Sequence, residues 1–121
     1  MAPEAGIVSI KVLDRKGNGK INTMVMGIQW ILDHAEEFGI RIVNISVGAF
    51  SMKGMNENTE LVQAVDKLWK AGLVVCVAAG NEGGRKQPSI TTPGILRSVI
   101  TVGSCDDEYM MDENGKEYQN Y

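Results

Sequence analysis

The chain has 121 residues, of which 44% are hydrophobic and 22% charged, and its formal net charge at pH 7 is −3. This composition is typical of one modest globular domain, and the acidic balance argues against a nucleic-acid surface. No apolar run approaches the roughly 20 residues of a membrane helix, and the first residues lack the basic region and apolar core of a signal peptide. We therefore expect neither nucleic acid nor a membrane as a partner.

The first predicted element is a β-strand over residues 7–13, where β-branched residues dominate. Residues 14–20 follow as a loop, with Gly17, Asn18 and Gly19 at its centre.

A helix is predicted over residues 24–38, because apolar residues recur there at helical spacing. Asn22 or Thr23 can cap its start, and Gly39 can end it in the left-handed conformation. A second strand follows over residues 42–47, and the polar stretch after it is a loop.

Asn58 or Thr59 can cap a second helix, which Gly72 ends. The predicted buried stripe of this helix consists of Leu61, Val62, Val65, Leu68 and Trp69. Strands are predicted over residues 73–79 and 98–102, with a loop between them. Near the end, Asn114 and Gly115 form a type I′ turn signal between short apolar stretches, which predicts a small exposed hairpin.

Strands alternate with helices along the chain, which predicts an α/β fold with a parallel sheet and flanking helices. The strands are almost continuously apolar, as expected when both faces of the sheet are covered. Ligands of such sheets bind at the carboxyl ends of the strands. The loops to search are therefore residues 13–20, 46–51 and 78–84, which we expect on one rim of the sheet.

The third strand ends abruptly in Ala78, Ala79, Gly80 and Asn81. The small residues leave backbone groups open to a ligand, and the Asn81 amide can donate a hydrogen bond without titrating. Such a donor suits the stabilisation of an oxyanion. The alternative is an asparagine that only holds a turn through its own backbone, and chemistry by itself favours that alternative.

Many motifs in the same order resemble the catalytic domain of subtilisin-like serine proteases, the subtilases. They cover most of residues 2–106 and include Ile7-Val8-Ser9-Ile10-Lys11-Val12-Leu13, Gly17-Asn18-Gly19, Gly27-Ile28-Gln29-Trp30, Val43-Asn44-Ile45-Ser46-Val47-Gly48, Val77-Ala78-Ala79-Gly80-Asn81-Glu82-Gly83, Thr92-Pro93-Gly94 and Ser98-Val99-Ile100-Thr101-Val102-Gly103. The resemblance implies a partial doubly wound sheet of the three-layer subtilisin type. Residues 1–121 would be one fragment of that domain, with a variable hairpin insertion at 107–119.

The resemblance also implies residue roles. Asn81 matches the family's oxyanion-hole asparagine. Two segments match those that pair with an extended polypeptide substrate as added strands, and a third matches a wall of the specificity pocket. These substrate-binding positions are Gly17, Asn18 and Gly19; Ser46, Val47 and Gly48; and Ala78, Ala79 and Gly80. The bond between Thr92 and Pro93 matches a position that is often cis in the family.

The catalytic Asp, His and Ser of the family have no matching motifs here, so we expect this piece to be inactive by itself. Its one histidine, His34, lies in the first predicted helix and is interpreted as a solvated residue. One alternative is a catalytically dead relative that binds peptides or regulates. A nucleotide-binding domain is a further alternative, although neither glycine-rich phosphate motif is present.

No cofactor or metal is assigned to this piece, although calcium is possible in the parent protein. The stretch Asp112-Glu113-Asn114-Gly115 hints at a calcium loop but lacks a first ligand and a closing Glu. Cys76 and Cys105 could pair, but they are interpreted as reduced structural thiols, which favours a cytoplasmic location. Truncating such a sheet exposes strand edges, so self-association is a further possibility.

Overall fold

A computed structural model describes residues 2–48, 59–81, 90–104, 109–111, 114 and 117–119. The helices and strands, in chain order, are α1 (Ile21–His34), β1 (Ile42–Ile45), α2 (Glu60–Lys70), β2 (Val74–Ala78), β3 (Ile100–Val102), β4 (Tyr109–Met111) and β5 (Glu117–Gln119).

The central sheet has the strand order β1-β2-β3, and both pairings are parallel. Ile45 pairs with Val77 and Ala78 pairs with Val102, so all three strands end near the same edge. This confirms the predicted α/β fold. It also brings the segments that follow β1 and β2 to neighbouring places on one rim.

The core lies on one face of this sheet. Alternate strand residues point to the same side, and the buried set from β1 and β2 packs in one cluster with apolar residues of both helices. That set is Val43, Ile45, Val75 and Val77. The side chains of Leu61, Val65 and Leu68 on α2 are completely buried in this cluster.

The opposite face of the sheet is exposed, although we expected both faces to be covered. Ile42 and Val74, which are paired in register, are 66% and 40% exposed, and Ile100 and Val102 on β3 are 50% and 55% exposed. The two helices in the described part of the chain contribute to the core on the other face. The apolar character of both faces therefore does not reflect burial within these residues.

The predicted strand over residues 7–13 is wrong as a sheet strand. Its one described bridge joins Leu13 to Gly19 in antiparallel fashion. Ile10 and Val12 instead lie against Gly27 of α1, since a β-carbon on Gly27 would lie 3.0 Å and 2.9 Å from their methyl groups. A cavity of about 720 Å³ is lined by this segment and by residues 40–47. A strand exists only by pairing, and no neighbour lies within reach across that cavity.

The first helix begins earlier than predicted. It starts at Ile21 after Lys20, which makes no side-chain capping bond, so Asn22 and Thr23 lie inside the helix. The predicted end is confirmed at Gly39, whose φ is +62° and whose backbone N–H bonds the carbonyl of Glu36.

The second helix begins as predicted. The Thr59 hydroxyl accepts a bond from the backbone N–H of Val62 at 3.4 Å, and Gly72 ends the helix with a φ of +86°. Trp69, predicted to be buried, is 44% exposed. It lies about 100° around the helix from the fully buried Leu68, which places it at the edge of the stripe.

The predicted hairpin is confirmed. β4 and β5 pair antiparallel, with Met110 opposite Tyr118, and Asn114 lies in a turn between them. Gly115 lies outside the described residues, so the turn type stays a prediction. The peptide bond between Thr92 and Pro93 is cis, as the resemblance implied.

Candidate active-site rim

Asn81 lies just beyond the carboxyl end of β2. The backbone N–H of Ala79 still bonds the carbonyl of Val102 at 2.8 Å, so the sheet continues for one residue past Ala78. Gly80 then adopts a φ of +106°, which turns the chain out of the sheet. Asn81 follows in a bend and is exposed. Its amide is thus presented at the rim on a turn that only glycine adopts without strain.

Thr91 holds this turn from below. Its backbone N–H and its hydroxyl both donate to the carbonyl oxygen of Ala79, at 2.8 Å and 3.3 Å. Thr91 itself is 8% exposed. The carbonyl of Ala79 is therefore fixed by two donors from one residue.

The same threonine brings the segments after β1 and β2 together. A β-carbon on Gly80 would lie 2.7 Å from Cγ2 and 2.8 Å from Oγ1 of Thr91, and one on Gly48 would collide with the same Oγ1. Residues 46–48 and 78–80 therefore meet on either side of the Thr91 side chain. Two of the three predicted substrate-binding segments are neighbours in the structure.

The segment after β1 has a further internal bond. The Asn44 side chain donates to the hydroxyl of Ser46 at 2.8 Å, and both residues are exposed. Val47 is half-buried and packs against the core. This arrangement leaves the backbone of residues 46–48 at the surface beside Thr91.

The loop below the turn is tightly packed. Thr92 is buried and the side chain of Pro93 is completely buried. A β-carbon on Gly94 would lie 3.0 Å from the carbonyl oxygens of both Ala78 and Thr91, and the Thr101 hydroxyl bonds the Gly94 carbonyl at 2.6 Å. Residues 91–94 thus form a close-packed support for the end of β2.

The loop containing Gly17, Asn18 and Gly19 is organised by Asp14. The Asp14 carboxylate accepts backbone N–H bonds from Lys16 at 2.8 Å and from Asn18 at 2.9 Å, and the Asp14 N–H bonds the Asn18 carbonyl. Because residues 7–13 do not belong to the sheet, the parallel-sheet argument does not place this loop on the rim. Its substrate-binding role stays a prediction.

His34 is less exposed than expected. Its ring stacks on Trp30 with centroids 4.3 Å apart, and its Nδ1 lies 2.8 Å from the Trp30 carbonyl oxygen. Phe38 packs against the same Trp30 ring at 5.6 Å. The interpretation of His34 as a solvated residue is therefore wrong, because the helical spacing stacks it within an aromatic row.

Electrostatics away from the rim centre on Asp66 of α2. Lys70 lies 2.6 Å from its carboxylate and Ser98 donates to it at 3.2 Å. The hydrogen bond from Lys70 is the main reason why the pKa of Asp66 lies below its ordinary value. These contacts connect α2 to the chain just before β3.

Within the described ranges, no group of three or more His, Cys, Asp or Glu side chains is arranged to bind a metal ion. The stretch 112–115 lies outside those ranges except for Asn114. Cys76 is a half-buried free thiol, and Cys105 is not among the described residues. No helix in the described part of the chain is long and apolar enough to cross a membrane.

The sequence pattern of the subtilase family, Peptidase S8, matches residues 1–120. The chain belongs to the subtilase family. The residues that carried the resemblance thus identified the family correctly, and the family is one of subtilisin-like serine proteases.

Two curated subtilases illustrate the similarity. Serine protease AprX of Bacillus subtilis strain 168 is 40% identical over 110 residues, which are 88% of this chain and 25% of that protein. Subtilisin DY of Bacillus licheniformis is 39% identical over 107 residues, covering 88% of this chain and 36% of that protein. The solved structure of sphericase has a TM-score of 0.67 and 27% identity over 90% of this chain and 33% of its own. The chain thus spans about a quarter to a third of these relatives.

Sequence reasoning missed the most connected residue of the rim. Thr91 stands in an unremarkable polar pair before a proline, and nothing local indicates that it contacts Gly48 and Gly80. The role of Asp14 could have been found, because an aspartate that precedes a glycine-rich loop commonly accepts N–H bonds from the residues after it.

Proposed function

We propose that this chain is the part of a subtilisin-like serine endopeptidase that supplies the oxyanion donor and substrate-binding segments. The single observation that carries the proposal is the arrangement around Thr91. It joins the backbones of residues 46–48 and 78–80 and supports the glycine turn that presents Asn81.

Asn81 has the chemistry that the proposed role requires. During peptide hydrolysis the scissile carbonyl oxygen becomes negatively charged, and a fixed neutral N–H donor stabilises that charge. An amide keeps its donor at every working pH, whereas a histidine or lysine would titrate. Because Gly80 turns the backbone and Thr91 fixes the preceding carbonyl, the Asn81 side chain starts from a rigid base.

The substrate is a polypeptide in an extended conformation. An extended chain has a backbone N–H and C=O at every residue, and it pairs best with another backbone that is free of large side chains. Gly48, Ala79 and Gly80 supply such backbone, and Ala78 with its neighbours would form a wall of the pocket for one substrate side chain. Gly17, Asn18 and Gly19 would supply the opposing strand.

The catalytic triad would come from segments of the whole protein other than residues 1–121. The serine would attack the carbonyl, the histidine would take its proton, and Asn81 would donate to the resulting oxyanion. The isolated chain would then have no peptidase activity. A cytoplasmic location, and calcium bound elsewhere in the whole protein, remain part of the same proposal.

The test is an Asn81→Ala substitution in the full-length protein, assayed on a chromogenic peptide. Loss of one oxyanion donor is expected to lower kcat by about 100- to 1,000-fold with little change in KM; this magnitude is that principle's own subtilisin example. Asn22→Ala is the matched control, because it makes the same chemical change at an exposed position of α1.

Equal kcat values for the wild type and Asn81→Ala would contradict the role of Asn81. A folded full-length wild type without hydrolytic activity that still binds extended peptides would instead support the catalytically dead alternative.

A further inference from the structure

Thr91 makes an unusual pair of bonds to one acceptor. Its backbone N–H and its side-chain hydroxyl both bond the Ala79 carbonyl oxygen, at 2.8 Å and 3.3 Å. The backbone bond exists whatever side chain stands at position 91, but the hydroxyl bond requires a serine or threonine. Since the residue is almost completely buried, little water competes for this bond.

The bonded carbonyl belongs to the peptide unit that enters Gly80. The orientation of that unit determines where the chain leaves Gly80, whose φ of +106° gives it access to backbone conformations closed to other residues. Asn81 is the next residue, so a rotation of the Ala79–Gly80 peptide would swing its side chain. Two donors on the Ala79 oxygen oppose that rotation.

The Thr91 side chain also fixes how closely the two neighbouring backbones approach. Gly48 and Gly80 both lack the β-carbon that would collide with it. The hydroxyl oxygen is the atom nearest to Gly48, and the methyl carbon is the atom nearest to Gly80. Thr91 is therefore a spacer between the two segments and a clamp on the turn before Asn81.

We propose that the Thr91 hydroxyl is a positioning group that acts on catalysis through Asn81. It does not touch the reacting atoms in this account. It holds the Ala79–Gly80 peptide so that the Asn81 amide points to the developing oxyanion. This inference rests on the proposed function of Asn81 and adds a residue to which the family resemblance gave no role.

The experiment is a double-mutant cycle in the full-length protein, with Asn81→Ala as the second site. Thr91→Ser and Thr91→Ala form a matched pair, because both lack the methyl group and they differ only in the hydroxyl oxygen. In the background that retains Asn81, Thr91→Ala is expected to have a kcat about tenfold below that of Thr91→Ser, with similar KM values. In the Asn81→Ala background the two are expected to have equal kcat values.

A purely structural role of the hydroxyl would give a different result. The Thr91→Ala deficit would then appear undiminished in the Asn81→Ala background, and the positioning proposal would be overturned. Equal kcat values for Thr91→Ser and Thr91→Ala, both with Asn81 present, would also overturn it. Thermal unfolding of each variant identifies failures of folding, and Thr91→Val replaces Thr91→Ala in the cycle if the latter does not fold.

The outcome also separates this inference from the proposed function. If Asn81→Ala alone leaves kcat unchanged, the proposed function fails and both Thr91 variants lose their interpretation through Asn81. If Asn81→Ala lowers kcat as expected but the Thr91 pair behaves additively with it, the proposed function stands and only the positioning role fails.

Discussion

The α-carbon of Gly80 lies directly against the side chain of Thr91. A β-carbon at position 80 would approach Cγ2 of Thr91 to 2.7 Å and Oγ1 to 2.8 Å, distances well inside van der Waals contact. The same glycine has a φ of +106°. Conformation and packing therefore both require glycine at the turn that presents Asn81.

Gly80→Ala is accordingly expected to be strongly destabilising. Gly72 provides a matched control, because its φ is +86° but nothing lies within 4 Å of a β-carbon there. Gly72→Ala should cost about 1–2 kcal/mol from backbone strain, and Gly80→Ala about 1–3 kcal/mol more from the collision. Urea unfolding measures both free energies, and equal losses would show that Thr91 moves aside without cost.

Gly48→Ala tests the other side of the same contact. Gly48 does not have a positive φ, so its substitution should destabilise mainly through the collision with Oγ1 of Thr91. Adding Thr91→Ala should then restore part of the lost stability, because the colliding atom is removed. Thr91→Ala should rescue Gly80→Ala less, since the strained φ remains. Gly6→Ala, where a β-carbon meets nothing within 4 Å, is the neutral control.

The Asp66–Lys70 pair predicts a pH-dependent term in stability. Because the folded-state pKa of Asp66 is lowered, its contribution is present above the ordinary pKa of 3.8 and is lost as pH falls through the lower folded value. Asp66→Asn should therefore lower the urea midpoint at pH 7, and the difference from wild type should shrink below about pH 4.

Asp33→Asn is the control for this prediction. It also removes an exposed helix carboxylate, but the described partner of that carboxylate is the neutral Gln29 amide. A deficit of Asp66→Asn that stayed constant from pH 7 to pH 3 would contradict the role assigned to the Lys70 contact.

The uncovered face of the sheet predicts self-association of the isolated chain. Ile100 and Val102 lie on the edge strand β3 and are each at least half exposed. Exposed apolar strand edges favour pairing between copies. We expect the mass measured by light scattering to rise with concentration, and Ile100→Lys with Val102→Lys to reduce that rise.

Met26→Lys is the matched control, because Met26 is 72% exposed but lies on α1. It should leave the concentration dependence unchanged. A monomeric wild type at high concentration would contradict the prediction.

The sequence by itself determined the order of helices and strands in most of the chain. Local signals were sufficient for Thr59 at the start of α2 and for Gly39 and Gly72 at helix ends, because caps and left-handed stops act within a few residues. The end of β2 at Ala78–Asn81 could also be predicted, since the apolar run stops there. The motifs then identified the family, although the residue roles they imply still need experiments.

Only the tertiary structure decided which segments meet. Residues 7–13 have the composition of a strand, but strand pairing is a non-local property, and these residues pack on Gly27 of α1 instead. Thr91 contacts Gly48 and Gly80 across long stretches of chain, so no local pattern indicates it. Composition and periodicity report what a segment favours, whereas contacts between distant residues depend on how the whole chain packs.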